Sequence, residues 1–463
     1  MELPSDTTAM QPAAGLPISE TDADRLIRAI CFKTGPPAKV GAELEWLVRD
    51  ANNPLLTVPF SRIRDVLTDL EKPGVLPGAG LLTLEPGGQV ELSTTPAKDL
   101  SDCIAVTRGD LAVLHQAFGA AGLLLTGHGI DPVRRPARVL DQPRYAAMEE
   151  YFDRDNFWGR LMMCSTASVQ VCVDAGLEDD SLSGFPFRWR LLHALGPVLV
   201  AMFANSPLRR GQPTGWKCTR QLVWSHLDSG RTQSPPGAEP GNPGSAAGPE
   251  EVREQYARYA LDANLLCMRG ADDVRWTVPT GLTLRDWLRT PDVPRPRGPG
   301  VNGAGPAPDS GDVSYHLSTL FPPVRPRGHL ELRMIDAQPG DGWVVPVAVV
   351  AALTDDPVAA AAAMAAVEPV WDQPRPVVPN PRGSDGNGRA GPWLRAARCG
   401  LADPAIGRAA RHCFAAAEAA LARAGTPADI TEAVGRFGDR YVRRGRCPAD
   451  DVLDTIANRQ ERA

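Results

Sequence analysis

Lysine is scarce in this chain. Five lysines, at positions 33, 39, 72, 98 and 217, stand against 44 arginines among 463 residues. With the abundance of Ala and Pro, this bias points to a GC-rich genome rather than to a function. A basic excess is also missing: 49 Lys and Arg against 55 Asp and Glu leave a net charge of −6. That excludes a general nucleic-acid or anionic-membrane binder, which needs a clustered basic footprint. No apolar run reaches the ~18–20 residues that span a bilayer. The longest, 191–204 and 344–353, fall short. The first fifteen residues carry neither a basic nor an apolar signal region. The nine cysteines form no CxxC or other zinc spacing, which is the pattern of free thiols in a reducing cytoplasm. No repeat of solenoid period is visible.

What is present is a globular balance, 43% hydrophobic and 22% charged, with enough chain for a large core. Length is compatible with about three domain-sized pieces or with one large enzyme. Residues 1–18 read as a loose terminus. The stretches 229–250, 291–311 and 373–392 are rich in Pro, Gly and small polar residues, and read as disordered linkers or insertions. Ser19-Glu20-Thr21-Asp22 precedes Leu26, Ile27 and Ile30, a capped amphipathic helix. Residues 108–122 and 186–204 have helical periodicity. After 340 the sequence is almost wholly helical, with Asp356-Pro357, Asp403-Pro404 and Thr426-Pro427 as helix starts. Strands in the first two-thirds and helices in the last third predict an α+β fold with an antiparallel sheet. We place one large domain at 19–345 and a helical region at 346–463, packed on the same fold.

Four strand-like runs have an unusual polar face. In 41–48 (GAELEWLV), period two puts Glu43 and Glu45 opposite Ala42, Leu44, Trp46 and Val48. In 87–93 (GGQVELS), Gln89, Glu91 and Ser93 share a face. Ser168 and Gln170 oppose Val169, Val171 and Val173, and Glu331 and Arg333 oppose Leu330 and Leu332. Two readings fit these runs. One is a sheet with its second face in water. The other is a ligand face, because none of the runs contains Lys. Glu, Gln, Ser and Arg are groups that hold divalent cations, phosphate and amino acids.

Taken in order, GAELE, GGQVELS, 162–171 (MMCSTASVQV), FANSP, CTRQLVW, YALD and 315–336 (YHLSTLFPPVRPRGHLELRMID) resemble the glutamate–cysteine ligases of the plant and proteobacterial type. The Arg- and Ala-rich composition resembles the actinobacterial branch that serves ergothioneine biosynthesis. These motifs span residues 41–336. The resemblance implies a curved antiparallel sheet funnel of the glutamine synthetase superfamily, with helices outside. It implies that ATP phosphorylates the glutamate γ-carboxylate and that the cysteine amine displaces phosphate, giving γ-glutamylcysteine and ADP. It implies Mg²⁺ held by Glu43, Glu45, Glu91 and Glu331, phosphate met by Arg333, and Arg325 as a second group for phosphate or glutamate. Arg220 would grip the glutamate α-carboxylate, with Trp224 shaping that pocket and Gln89, Ser168 and Gln170 lining the glutamate and nucleotide sites. His128, in Thr126-Gly127-His128-Gly129, is a metal ligand in some relatives; a packed histidine is the alternative. The partners implied are small molecules, with no nucleic acid and no membrane, in the cytoplasm. A ligase of the same superfamily using another amine, or a non-catalytic nucleotide- or carboxylate-binding protein, also fits the residues.

Overall fold

The computed structural model describes residues 16–154, 157–241, 247–270, 276–290, 307–372 and 391–460. Among the described residues nine strands lie between 40 and 336: β1 (Val40–Asp50), β2 (Leu81–Leu84), β3 (Val90–Ser93), β4 (Leu123–Thr126), β5 (Ser168–Asp174), β6 (Leu208–Arg209), β7 (Gln212–Pro213), β8 (Val324–Pro326) and β9 (His329–Asp336). Seven form one sheet in the order β2-β3-β1-β5-β9-β8, with β4 on the far half of β1. Every pairing in it is antiparallel. β6 and β7 make a separate two-stranded ribbon. Beyond residue 340 the described chain is helical. The fold is α+β with an antiparallel sheet, the class expected from the sequence.

The alternation in β1 sorts its side chains as expected. Ala42, Leu44, Trp46 and Val48 join the hydrophobic core. Opposite them lie Glu43 and Glu45, and the registers extend that polar face. Glu45 pairs with Glu91 and Glu43 with Ser93 on β3, while Glu43 pairs with Gln170 on β5. Glu331 pairs with Cys172 on one side and Arg325 on the other. A β-bulge between Val169 and Val171 breaks the β5–β9 register beside Gln170, and bulges re-aim neighbouring side chains.

The apolar face packs on helix Phe185–Met202, nearly all of it buried, and on helix Val344–Asp355. The core cluster runs from Ala23 to Ala449, so residues before and after 345 share one interior. No single described helix is long and apolar enough to cross a membrane. The C-terminal helices also hold the chain segment that leads into helix Thr219–Trp224. Ala397 O accepts from Lys217 N and Cys218 N, both at 2.9 Å. Lys217 Nζ reaches Asp450 at 2.5 Å, and Ala449 N donates to Ala204 O at 2.9 Å.

Helix starts follow the caps with one exception. Ser19, Asp356 and Asp403 each accept from backbone N–H groups of the first turn. Thr426 does not cap: Pro427 is the N-cap of helix Ala428–Arg440. Thr426 N instead donates to Leu421 O, closing the preceding helix after Gly425 in the left-handed region.

Composition misjudges 229–250. Residues 229–241 are packed, with Arg231 and Ala238 fully buried. The Arg231 guanidinium donates to Thr319 O at 2.7 Å, Thr319 Oγ1 at 3.2 Å, Asp228 Oδ2 at 3.3 Å and the carbonyl of Asn264. One cation satisfies acceptors from three chain regions, which offsets the entropy that Pro and Gly suggest is unmet. Residues 242–246 lie outside the described residues, as do 1–15, 291–306 and 373–390. Arg231→Met should lower unfolding free energy by about 3 kcal/mol, because buried acceptors lose their partner. A urea titration reads this, and a change below about 0.5 kcal/mol, the scale of an ordinary surface substitution, would refute it.

Candidate active site

The polar face of the sheet has two ends of opposite character. At the β8–β9 end, Arg325 grips Glu331 through two contacts, Nε to Oε2 at 3.0 Å and Nη2 to Oε1 at 2.9 Å. Arg333 Nη1 also donates to Glu331 Oε1 and to Gln170 Oε1. Gln170 Nε2 passes the chain on to Glu45 Oε1 at 3.0 Å. Ser168 serves through its backbone N, which donates to Glu45 Oε2 at 2.8 Å. Burial alone would raise the Glu331 carboxyl, but Arg325 and Arg333 outweigh it and hold it at about 2.

At the β1–β3 end, carboxylates meet without an ion pair, the arginines acting on them only from a distance. Glu91 accepts from Thr83 Oγ1 at 2.8 Å and Ser93 Oγ at 3.3 Å. Burial, then Glu85 and Glu45, push it up to about 8. Glu85, at the end of β2, is pushed to about 7 by burial and by Glu45. Burial, then Glu331 and Glu91, raise Glu43 well above the ordinary range, and burial raises Glu45. No salt bridge reaches Glu43, Glu45, Glu85 or Glu91 among the described residues.

The signs set a pH profile for the cation-free protein. Glu85 and Glu91 keep protons that the unfolded chain releases near 4.5. The stability this confers is full below that value and is lost as pH rises through about 8. Glu331 acts oppositely: its contribution is present above 4.5 and is lost as pH falls through about 2. In chelator, melting temperature should peak near pH 5 and fall toward pH 8. A flat profile across that range would remove the carboxylates from one interacting group.

Beside the arginines, helix Thr219–Trp224 delivers Arg220. Its Nη2 donates to Arg333 O at 2.8 Å, while Nε and Nη1 are buried without partners. The guanidinium lies 5.9 Å from the Trp224 ring, and Trp224 packs edge-on to Phe321 at 6.0 Å. Phe321 in turn lies 5.9 Å from the Arg333 guanidinium. The result is an aromatic wall beside a guanidinium whose Nε and Nη1 have no partner, donors with the charge to attract a carboxylate.

Three expected site residues stand apart. Gln89 is buried with its Nε2 on the carbonyls of Met163 at 3.2 Å and Thr166 at 2.9 Å. It ties the β2–β3 turn to residues 163–166, where a Cβ on Gly87 would lie 2.3 Å from Cys164 O. His128 has Arg49 and Asp131 as its charged neighbours and none of the site glutamates, and burial lowers its pKa. It belongs to a tight crossing: a Cβ on Gly127 would lie 1.9 Å from Gln338 O. Glu331 is already bound by two arginines, which leaves it no open role as a metal ligand in this arrangement. Sequence reasoning missed Glu85, hidden before the Pro86-Gly87-Gly88 turn.

On charge, the β1–β3 end fits a divalent cation, because its buried carboxylates raise one another's proton affinity. On geometry it is not a closed cage: no group of three or more His, Cys, Asp or Glu side chains is set to hold an ion among the described residues. Mg²⁺ commonly takes one or two carboxylates plus phosphate oxygens and water, so an incomplete protein cage suits a metal that arrives with nucleotide.

Fold and site together define an α+β protein with a carboxylate- and arginine-lined sheet face suited to a doubly charged substrate. The profile of glutamate–cysteine ligase family 2 (GCS2) matches residues 39–463. The chain belongs to that family. It is 38% identical over 434 residues to the glutamate–cysteine ligase EgtA of Mycobacterium tuberculosis, covering 92% of this chain and 88% of that one. It is 37% identical over 449 residues to the EgtA of Mycolicibacterium smegmatis, covering 96% and 94%. The chloroplastic glutamate–cysteine ligase of Arabidopsis thaliana is 28% identical over 340 residues, 70% of this chain and 60% of that one.

Proposed function

We propose that this chain joins the γ-carboxylate of L-glutamate to the amine of L-cysteine, converting ATP to ADP and phosphate. The observation that carries the reading is the two-ended sheet face in a chain of this family. Glu43, Glu45 and Glu91 meet without ion pairs, and Arg220, with Nε and Nη1 unpartnered, is close enough for its charge to act on Glu45. The glutamate α-carboxylate binds Arg220, and the Trp224–Phe321 wall excludes water. The γ-carboxylate then lies toward Arg333, where it takes the ATP γ-phosphoryl group to give γ-glutamyl phosphate. The cysteine amine attacks that carbonyl, the C–O bond to phosphate breaks, and the amine loses a proton. Arg333 and Arg325 offset charge on the phosphoryl oxygens, and Gln170 keeps Arg333 aimed. Glu43, Glu45 and Glu91, with Glu85 beside them, would hold Mg²⁺. When bound, the ion supplies neutralisation of the β,γ-phosphate charge.

We place the reaction in the cytoplasm, in ergothioneine biosynthesis, on the resemblance to the actinobacterial branch. The direct test is purified protein with ATP, glutamate and each candidate amine in turn, read by phosphate release and product mass. Cysteine should give γ-glutamylcysteine fastest. Equal rates with other amines would favour a ligase of different acceptor, and no ATP turnover would favour a binding protein. Loss of γ-glutamylcysteine and ergothioneine from a deletion strain tests the pathway.

A further inference from the structure

Asp336 ends β9, fully buried, and none of the chemistry above uses it. Its Oδ2 accepts from Asn205 N at 2.8 Å and from Ser206 Oγ at 2.7 Å, and its Oδ1 accepts from Cys218 Sγ at 3.3 Å. Both side-chain donors lead to helix Thr219–Trp224. Ser206 Oγ accepts from Arg220 N at 3.2 Å, and Cys218 Sγ accepts from Gln221 N at 3.4 Å as the helix N-cap. One carboxylate therefore orients both groups that hold the first turn of the helix bearing Arg220. No ion pair joins Asp336 to Arg220 directly, although Arg220's positive charge acts on it. A direct pair would occupy N–H groups that are otherwise without partners. Acting through Ser206 and Cys218, Asp336 fixes the backbone of Arg220 and leaves Nε and Nη1 free.

We infer that Asp336 is a positioning residue that sets Arg220 for the glutamate carboxylate. The inference rests on the reading of Arg220 as the glutamate-binding cation. It also explains Gly129: a Cβ there would lie 2.2 Å from the Asp336 carboxyl carbon, so Gly129 leaves room for the carboxylate.

The test is steady-state kinetics of Asp336→Asn, Ser206→Ala and Arg220→Lys, singly and with Arg220→Lys/Asp336→Asn. Asp336→Asn should raise the glutamate KM about tenfold, with the ATP KM and kcat within about threefold, since only uniform binding of one substrate is weakened. Ser206→Ala removes one link and should give a smaller shift of the same kind. It carries the test if Asp336→Asn fails to fold. The double variant should be no worse for glutamate than Arg220→Lys alone, because both act through one contact. Equal rises in both KM values, or additive effects in the double variant, would overturn the inference. If Arg220→Lys spares the glutamate KM, it is the reading of Arg220 that fails. If Arg220→Lys raises it while Asp336→Asn and Ser206→Ala do not, the inference alone fails.

Discussion

Glu43→Gln should cost turnover at least ~10²-fold while leaving the cation-free protein as stable as the parent or more so. The change preserves volume and removes one of several buried negative charges that raise each other's proton affinity. Relief of that repulsion favours the fold, and loss of a cation-holding oxygen disfavours reaction. Glu331→Gln should separate from it. Its carboxylate neutralises Arg325 and Arg333, so removing it leaves two buried cations and should destabilise by about 3 kcal/mol. The paired measurement is kcat against Mg²⁺ concentration, with thermal melts in chelator. Near-parental turnover in Glu43→Gln would sink the assignment of the β1–β3 end. Equal stability losses in both variants would show that the two ends are not electrostatically distinct.

Arg220→Lys should raise the glutamate KM at least ~30-fold, about 2 kcal/mol of binding, with a far smaller effect on the ATP KM. A lysine ammonium is a point charge and cannot reproduce the several donors fixed around a rigid guanidinium plane. It would also lose the donor to Arg333 O and the ring contact with Trp224. Initial rates with each substrate varied at saturation of the other decide it. Equal shifts for both substrates would move Arg220 out of the glutamate recess.

The sheet was legible wherever polar and apolar residues alternate. Glu43 and Glu45 sit where period two puts them, and the same rule groups Ser168 with Gln170 and Glu331 with Arg333. What escaped the sequence depends on contacts between distant segments. Asp336 shares its phase with Leu330, Leu332 and Met334, so alternation assigns it to the core face. It is buried there because Asn205, Ser206 and Cys218 supply its partners. Glu331 and Arg325 read as two separate ligands, yet the β8–β9 register sets them opposite each other as a pair. Glu85 falls outside any strand period, beside a turn. The 229–241 stretch looks unfoldable locally and is held by Arg231 reaching acceptors near residues 264 and 319.

The C-terminal helices carry none of the recognisable motifs, yet Ala397 O, Asp450 and Ala449 N fasten the segment from Ala204 to Cys218 that leads into Arg220. On the proposed role of Arg220, glutamate affinity and the folding of the last third of the chain are thermodynamically linked. Whatever frays those helices loosens the substrate, and substrate in turn protects helices it never touches.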